Sequence, residues 1–223
     1  MENQKSRINI LNKSLRIFFL DALRITISNP AQALSFLRTI MWLRKAAKLR
    51  ESWKEKGYVI PPILIFSIPN ECNLSCPGCY NKSFHASDGN ELSDEKLRRI
   101  AEEAKELGVS FFVIAGGEPF LRPVILDIMK EYPEIIFLVF TNGTLIDEEM
   151  IISFKKQKNV VPMISLEGDH DETDERRGYG TFDQLKKTMI EMNKSGIFFG
   201  LSLTMVRSNF PTITAEEFIE KCA

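Results

Sequence analysis

The chain has 223 residues, 44% hydrophobic and 26% charged, enough to bury a core without disulfides or a metal staple and ordinary for a globular protein. Its formal net charge of -1 conceals an asymmetry, because residues 1–56 carry 12 Lys/Arg against 4 Asp/Glu and leave 17 against 26 for the rest: a basic appendage on an acidic body. No apolar run approaches the roughly 18–20 residues of a spanning helix, and Asp21 and Arg24 interrupt the short apolar stretch near the N-terminus, so neither a membrane span nor a secretory signal is expected and a cytoplasmic location is.

Apolar residues at helical spacing predict helices over 7–27 and 31–55, broken at Asn29-Pro30. The second ends in a Lys/Arg-rich turn before Gly57, as helix C-termini prefer. From Pro62 the pattern changes. Ile63 to Ile68 reads as a buried strand, Ser93 to Leu107 as a helix capped by Ser93 and ended by Gly108, and Ser110 to Ala115 as a second strand. A short helix from Pro123 to Glu131 precedes a third strand, Ile135 to Phe140. Asp147 caps a helix to about Lys156, Val160 to Leu166 is a fourth strand, Thr181 to Lys194 a helix, Ile197 to Met205 a fifth strand, and Thr214 starts a last helix. Alternation of helices with near-continuously apolar strands predicts a parallel sheet with outer helices. Chemistry then belongs at the carboxyl ends of the strands.

After the first strand comes Glu71 to Tyr80, ECNLSCPGCY, with three of the four cysteines. In a reducing compartment clustered thiols bind metal or react rather than pair. Thiolates are soft ligands for iron–sulfur clusters, zinc or copper(I). Cys72, Cys76 and Cys79 can hold three corners of a cubane cluster and leave one iron open. Alternatively, they bind a structural zinc with His85 as fourth ligand. Gly116-Gly117-Glu118-Pro119 closes the second strand, Thr141-Asn142-Gly143-Thr144 the third and Ser165-Leu166-Glu167-Gly168 the fourth. Read plainly, these are turns, and Asp169 to Arg177 is a solvated charged loop. Cys222 reads as a lone thiol. Nothing interleaves basic and aromatic residues as nucleic-acid binding would.

CxxxCxxC followed by GGEP at the next strand end resembles the radical S-adenosylmethionine (SAM) enzymes, over roughly Pro62 to the C-terminus, and Arg177-Gly178 with Gly180-Thr181-Phe182 is similar to their peptide- and cofactor-modifying subgroup. The resemblance implies an α/β fold: a partial (β/α) barrel over 58–223 with about five of six units, incomplete at the C-terminus, and an N-terminal helical extension over 1–57. It implies that Cys72, Cys76 and Cys79 bind a [4Fe–4S] cluster. Gly116 and Gly117 would line the methionine part of SAM, with Glu118 near its amino group and Asn142 on the SAM side. Ser165 and Arg177, or the adjacent Arg176, would hold the carboxylate, and Glu167 would approach the ribose. The aromatic residue usual before the last cysteine is Gly78 here, with Tyr80 just beyond.

The implied activity is reductive cleavage of SAM to a 5′-deoxyadenosyl radical that abstracts hydrogen from a substrate, fed by a small donor such as a ferredoxin or flavodoxin. The substrate is not legible, and no catalytic side chain is needed for the cleavage. Two further outcomes stay open: the zinc-binding interaction module, and a fragment or subunit that binds the cluster without turnover. The basic helices of 1–56 dock on their own domain, meet a partner or lie on an anionic membrane surface.

Overall fold

The computed structural model describes residues 30–68, 70–81 and 91–222, with side chains from residue 34. The helix expected over 7–27, and His85, lie outside the described residues. The chain divides into two compact units, 1–41 and 42–223. In the first, the described residues are the opening turns of α1 (Pro30–Glu55).

The second unit is built on one parallel sheet. Its strands are β1 (Ile63–Ser67), β2 (Phe111–Ala115), β3 (Ile136–Thr141), β4 (Val160–Leu166) and β5 (Gly200–Leu203), and they lie side by side in sequence order. Between them run α2 (Asp94–Leu107), α3 (Pro123–Glu131), α4 (Glu148–Gln157), α5 (His170–Arg177) and α6 (Thr181–Lys194); α7 (Phe210–Ile213) and α8 (Glu216–Cys222) follow β5. Leu97 of α2, Ile125 of α3, Phe154 of α4 and Leu185 of α6 share one buried cluster with the sheet, as same-handed crossovers between successive parallel strands require. The result is an arc of a (β/α) barrel, as expected.

Alternation along the strands separates the two faces. Phe112, Ile114, Phe137, Val139, Ile164 and Leu166 form one buried cluster with Leu97, Ile125, Phe154 and Leu185 from the helices. Phe112 stacks edge-on with Phe66 and Phe137, at 5.3 Å each. Truncating so central a ring to alanine costs about 3–5 kcal/mol. The opposite face carries Val113, Leu138, Val161 and Met163, all half-buried, with Ile65 exposed at the β1 edge. This is the open inner face of the arc.

The helix signals act as read. Ser93 and Asp147 accept from the backbone N–H groups of Lys96 and Met150, and Gly108 adopts φ 90, which favours glycine. Trp42 and Ala46 bury one side of α1 in the core of the second unit. Asn159 donates its amide to the Met129, Tyr132 and Ile135 carbonyls, closing the turn from α3 into β3. Three expectations shift. β5 is shorter than Ile197–Met205, and the last helix starts at Glu216 rather than Thr214, with the single turn α7 before it. The charged stretch read as a loop folds as α5, with Thr173 fully buried beneath it.

Candidate functional site

The cysteine loop leaves β1 at Ile68, whose N–H donates to the Ala115 carbonyl. Glu71 continues the contact, its carbonyl accepting from the Glu118 N–H at 2.8 Å. At Gly117 the Glu71 backbone lies where a side chain would be. The Asn70 N–H donates to the Glu91 carboxylate, and Arg122 joins Glu91 to Asp94. The buried Asn81 donates to the Asn70 carbonyl at 2.7 Å. The loop is therefore fastened to the end of β2 before its thiols, and Asn81, after them, closes it onto its own start.

Cys72 is exposed, Cys76 and Cys79 are half-buried, and all three are free. Burial pushes the Cys76 thiol up; Arg177 opposes that, and Cys72 and Cys79 add to it. Cys76 thus lies in the field of two further thiols and one guanidinium. Among the described residues no three Cys, His, Asp or Glu side chains converge as a single ion requires. A cubane offers three separate irons to three thiolates and needs no such convergence, so this donor set fits it. Gly78 turns at φ 65 with open space where its side chain would lie. The Tyr80 hydroxyl comes within 3.5 Å of the Gly116 carbonyl.

Glu118 is fully buried. Its carboxylate accepts from the Thr141 hydroxyl at 2.8 Å, the Asn142 N–H at 2.7 Å and the Phe120 N–H at 3.1 Å. Desolvation pushes its pKa up, and those hydrogen bonds draw it down. The side chain thus staples the end of β2 to the end of β3. Asn142, also buried, reaches into the cysteine loop: its amide nitrogen lies 2.8 Å from Asn73 Oδ1 and 3.7 Å from Cys72 Sγ. Ser165 is half-buried on β4, in register with Ser202 of β5.

At the end of β4, Glu167 is buried and each carboxylate oxygen meets one arginine of α5, Arg176 at 2.8 Å and Arg177 at 2.6 Å. The Arg177 side chain is 10% exposed against 24% for Arg176. Arg177 Nε is buried without a partner, and its charge reaches Cys76 and Glu118. Asp174 accepts from the Gly180 and Phe182 N–H groups at 2.7 and 2.8 Å, which hold its carboxyl below the usual range and fix the Gly-Thr-Phe turn.

Several residues here escaped the sequence reading. Asn73 and Thr144 bind Asn142, and the buried Asn209 donates to the Glu167 and Thr204 carbonyls. Their one sequence signal is polarity: Thr141 ends a wholly apolar strand, and Asn73 sits between cysteines.

A one-way arc of β/α units that gathers a loop of three free thiols and a nearly buried arginine at the carboxyl ends of its strands defines an α/β protein with its unusual side chains at one rim of the sheet. Residues 66–221 match the Radical SAM superfamily, and the chain belongs to it. It is 29% identical over 164 residues to the Fe-coproporphyrin III synthase of Methanosarcina barkeri, covering 69% of this chain and 39% of that protein. It is 28% identical over 167 residues to the mycofactocin maturase MftC of Mycobacterium tuberculosis, covering 74% and 42%. The chain thus spans about two-fifths of the length of these curated relatives. Among solved structures, Streptococcus suis SuiB bound to its precursor peptide SuiA superimposes with a TM-score of 0.64 at 23% identity, covering 80% of this chain and 40% of that one. The structure of anSMEcpe with bound AdoMet gives 0.59 at 21%, covering 71% and 46%. These two likenesses concern the fold.

Proposed function

We propose that this chain is a radical SAM enzyme in which Cys72, Cys76 and Cys79 hold a [4Fe–4S] cluster and the carboxyl ends of β2, β3 and β4 hold SAM beside it. The observation that carries this reading is the placement of Arg177: nearly buried, with one N–H unspent, in the field of Cys76. When bound, the pair supplies one-electron reduction of the SAM sulfonium and, from it, a radical that takes hydrogen from a substrate.

The chain's own residues bind and orient. Arg177 offers a preorganised fork to the SAM carboxylate, and Ser165 offers a hydroxyl on the same rim. Gly116 exposes backbone to the methionine portion, while Gly117 and Glu118 keep the cysteine loop and β3 in place. Glu167 holds both arginines in position, and its contact with the ribose belongs to the same proposal. Exposed Cys72 marks the side from which a ferredoxin- or flavodoxin-like donor approaches. The substrate lies over the half-buried inner face, and the precursor peptide of SuiB supports a peptide there.

The protein is proposed to work in the cytoplasm. No described helix is long and apolar enough to cross a membrane. Leu34, Leu37 and Met41 of the first unit are exposed at helical spacing, and residues 1–56 carry 12 Lys/Arg against 4 Asp/Glu, which supports a peripheral contact with anionic lipid. Co-sedimentation with anionic vesicles that declines as salt rises is the expected sign; equal recovery with neutral vesicles removes the electrostatic part.

The central experiment is anaerobic reconstitution of the full chain with iron and sulfide. The expected product is a brown protein with about four irons and four sulfides that forms 5′-deoxyadenosine from SAM only with dithionite. A colourless protein with one zinc overturns the reading, and a brown protein that leaves SAM intact removes the catalytic half.

A further inference from the structure

We infer that Asn142 is a positioning residue for the iron–sulfur site: its side-chain amide donates to Cys72 Sγ, orienting that ligand and raising the reduction potential of the cluster it helps to hold. The inference rests on the cluster assignment above and adds to it a determinant of how readily the site accepts an electron.

The orientation of the amide is forced from the backbone outward. The Thr144 N–H can only donate, and it lies 3.0 Å from Asn142 Oδ1. That oxygen must therefore face Thr144, which sends the Asn142 NH2 group the other way. The Thr144 hydroxyl, 2.7 Å from the same oxygen, must donate to it too. Its proton being used, Thr144 Oγ1 accepts from Asn73 Nδ2 at 2.8 Å. Asn73 then has only its oxygen to offer Asn142, at 2.8 Å. One hydrogen of the Asn142 NH2 goes to that oxygen, and the same nitrogen stands 3.7 Å from Cys72 Sγ. A flipped amide would set donor against donor at Thr144 and oxygen against both Asn73 Oδ1 and the sulfur.

Two further bonds hold the donor and the sulfur in place. The Asn142 N–H is fastened to Glu118 Oε2 at 2.7 Å, and the Leu74 N–H gives the same sulfur a second donor at 3.4 Å. Asn142 is 6% exposed, so the donor end of its bond to the exposed Cys72 is held in a fixed, buried position. A hydrogen bond to a ligating thiolate withdraws charge from the sulfur and favours the more negative, reduced state of the cluster. Asn73 and Thr144 matter through Asn142: they fix which of its two ends meets the sulfur.

The test uses the anaerobically reconstituted full chain, with the reduced cluster followed by electron paramagnetic resonance during a potentiometric titration. Asn142→Ala removes the donor, and Asn142→Asp sets an acceptor against the sulfur. The expected result is a lower midpoint in both, lowest for Asn142→Asp. In Asn142→Ala the ratio of reduced to oxidised cluster at a fixed donor potential falls roughly tenfold, in keeping with the loss of one hydrogen bond to a charged group. An unchanged midpoint in a loaded Asn142→Ala overturns the inference, whereas a wild-type chain that takes up no iron overturns the cluster assignment itself. If neither variant loads, wild-type protein with isotope-labelled asparagine decides: hyperfine coupling of the reduced cluster to an asparagine side-chain nitrogen supports the inference, since the Asn73 nitrogen is turned to Thr144, and absence of any such coupling overturns it.

Discussion

The Glu71 carbonyl oxygen occupies the space where a side chain on residue 117 would begin: a Cβ at Gly117 would lie 1.9 Å from it and 2.5 Å from the Glu71 carbonyl carbon. Both neighbours are backbone, so no rotamer change relieves the overlap. Gly117 is the seat of the cysteine loop, and the Glu118 N–H bond to Glu71 is its clasp. Gly117→Ala is expected to displace the loop, lower stability by about 1–3 kcal/mol and abolish stoichiometric iron uptake. Thermal melts and iron analysis check this; wild-type loading in the variant would detach the clasp from metal binding.

Glu118 makes stability depend on pH in the sense opposite to a solvent-paired carboxylate. Folding raises its pKa above the ordinary 4.5, with desolvation the largest cause. The folded state therefore holds this proton more tightly than the unfolded chain does. Its contribution is fully present below pH 4.5 and is lost as pH rises through the folded value. In Glu118→Gln that dependence should vanish, and the new NH2 group would face N–H donors, costing about 1–3 kcal/mol. Denaturant titrations of both proteins between pH 4.5 and 7 check it; parallel curves would place the titration elsewhere.

The arc itself was legible because each strand is a short apolar run bounded by turn residues, and because Ser93, Asp147 and Gly108 carry capping signals that the structure uses. Helix α5 was not. His170 to Arg177 has no apolar periodicity, and its helix is held by buried Thr173 and by the two arginines on Glu167, contacts across the fold that no local pattern announces. The three thiols were evident from spacing. The direction in which Glu118, Asn142 and Glu167 point was not, because a polar residue at a strand end can face ligand or protein, and only packing decides. In the structure Glu118 and Glu167 accept from protein donors, and Asn142 faces the cysteine loop.

The four cysteines should behave as three and one. Cys222 ends α8, far along the chain from the other three and beside Asp169 and Lys221, and partial burial together with Asp169 pushes its thiol up. Cys222→Ser is expected to retain full iron loading. Cys72→Ser, Cys76→Ser and Cys79→Ser should each lose most of it, since ligation requires thiolate. Iron and sulfide analysis after identical anaerobic reconstitution checks the series. Loading that depends on Cys222 would overturn the assignment of the other three as the complete protein ligand set.

Arg176 and Arg177 are neighbours in sequence and share Glu167, yet their surroundings assign them different work. Arg177 is the more buried, has an unspent Nε, and acts on both Cys76 and Glu118; Arg176 lies nearer solvent. Lysine preserves charge, and so an ion pair with Glu167, but loses the planar fork that binds a carboxylate through two N–H groups. Arg177→Lys is therefore expected to weaken SAM binding to the loaded chain by roughly ten- to a hundredfold, the range of one to two charge-assisted hydrogen bonds. Arg176→Lys should change it by less than about threefold, as expected for a solvent-screened charge. Anaerobic equilibrium dialysis separates the two. The reverse ranking would move the SAM carboxylate to Arg176 and leave Arg177 as the cation that, through Glu167, keeps its neighbour in place.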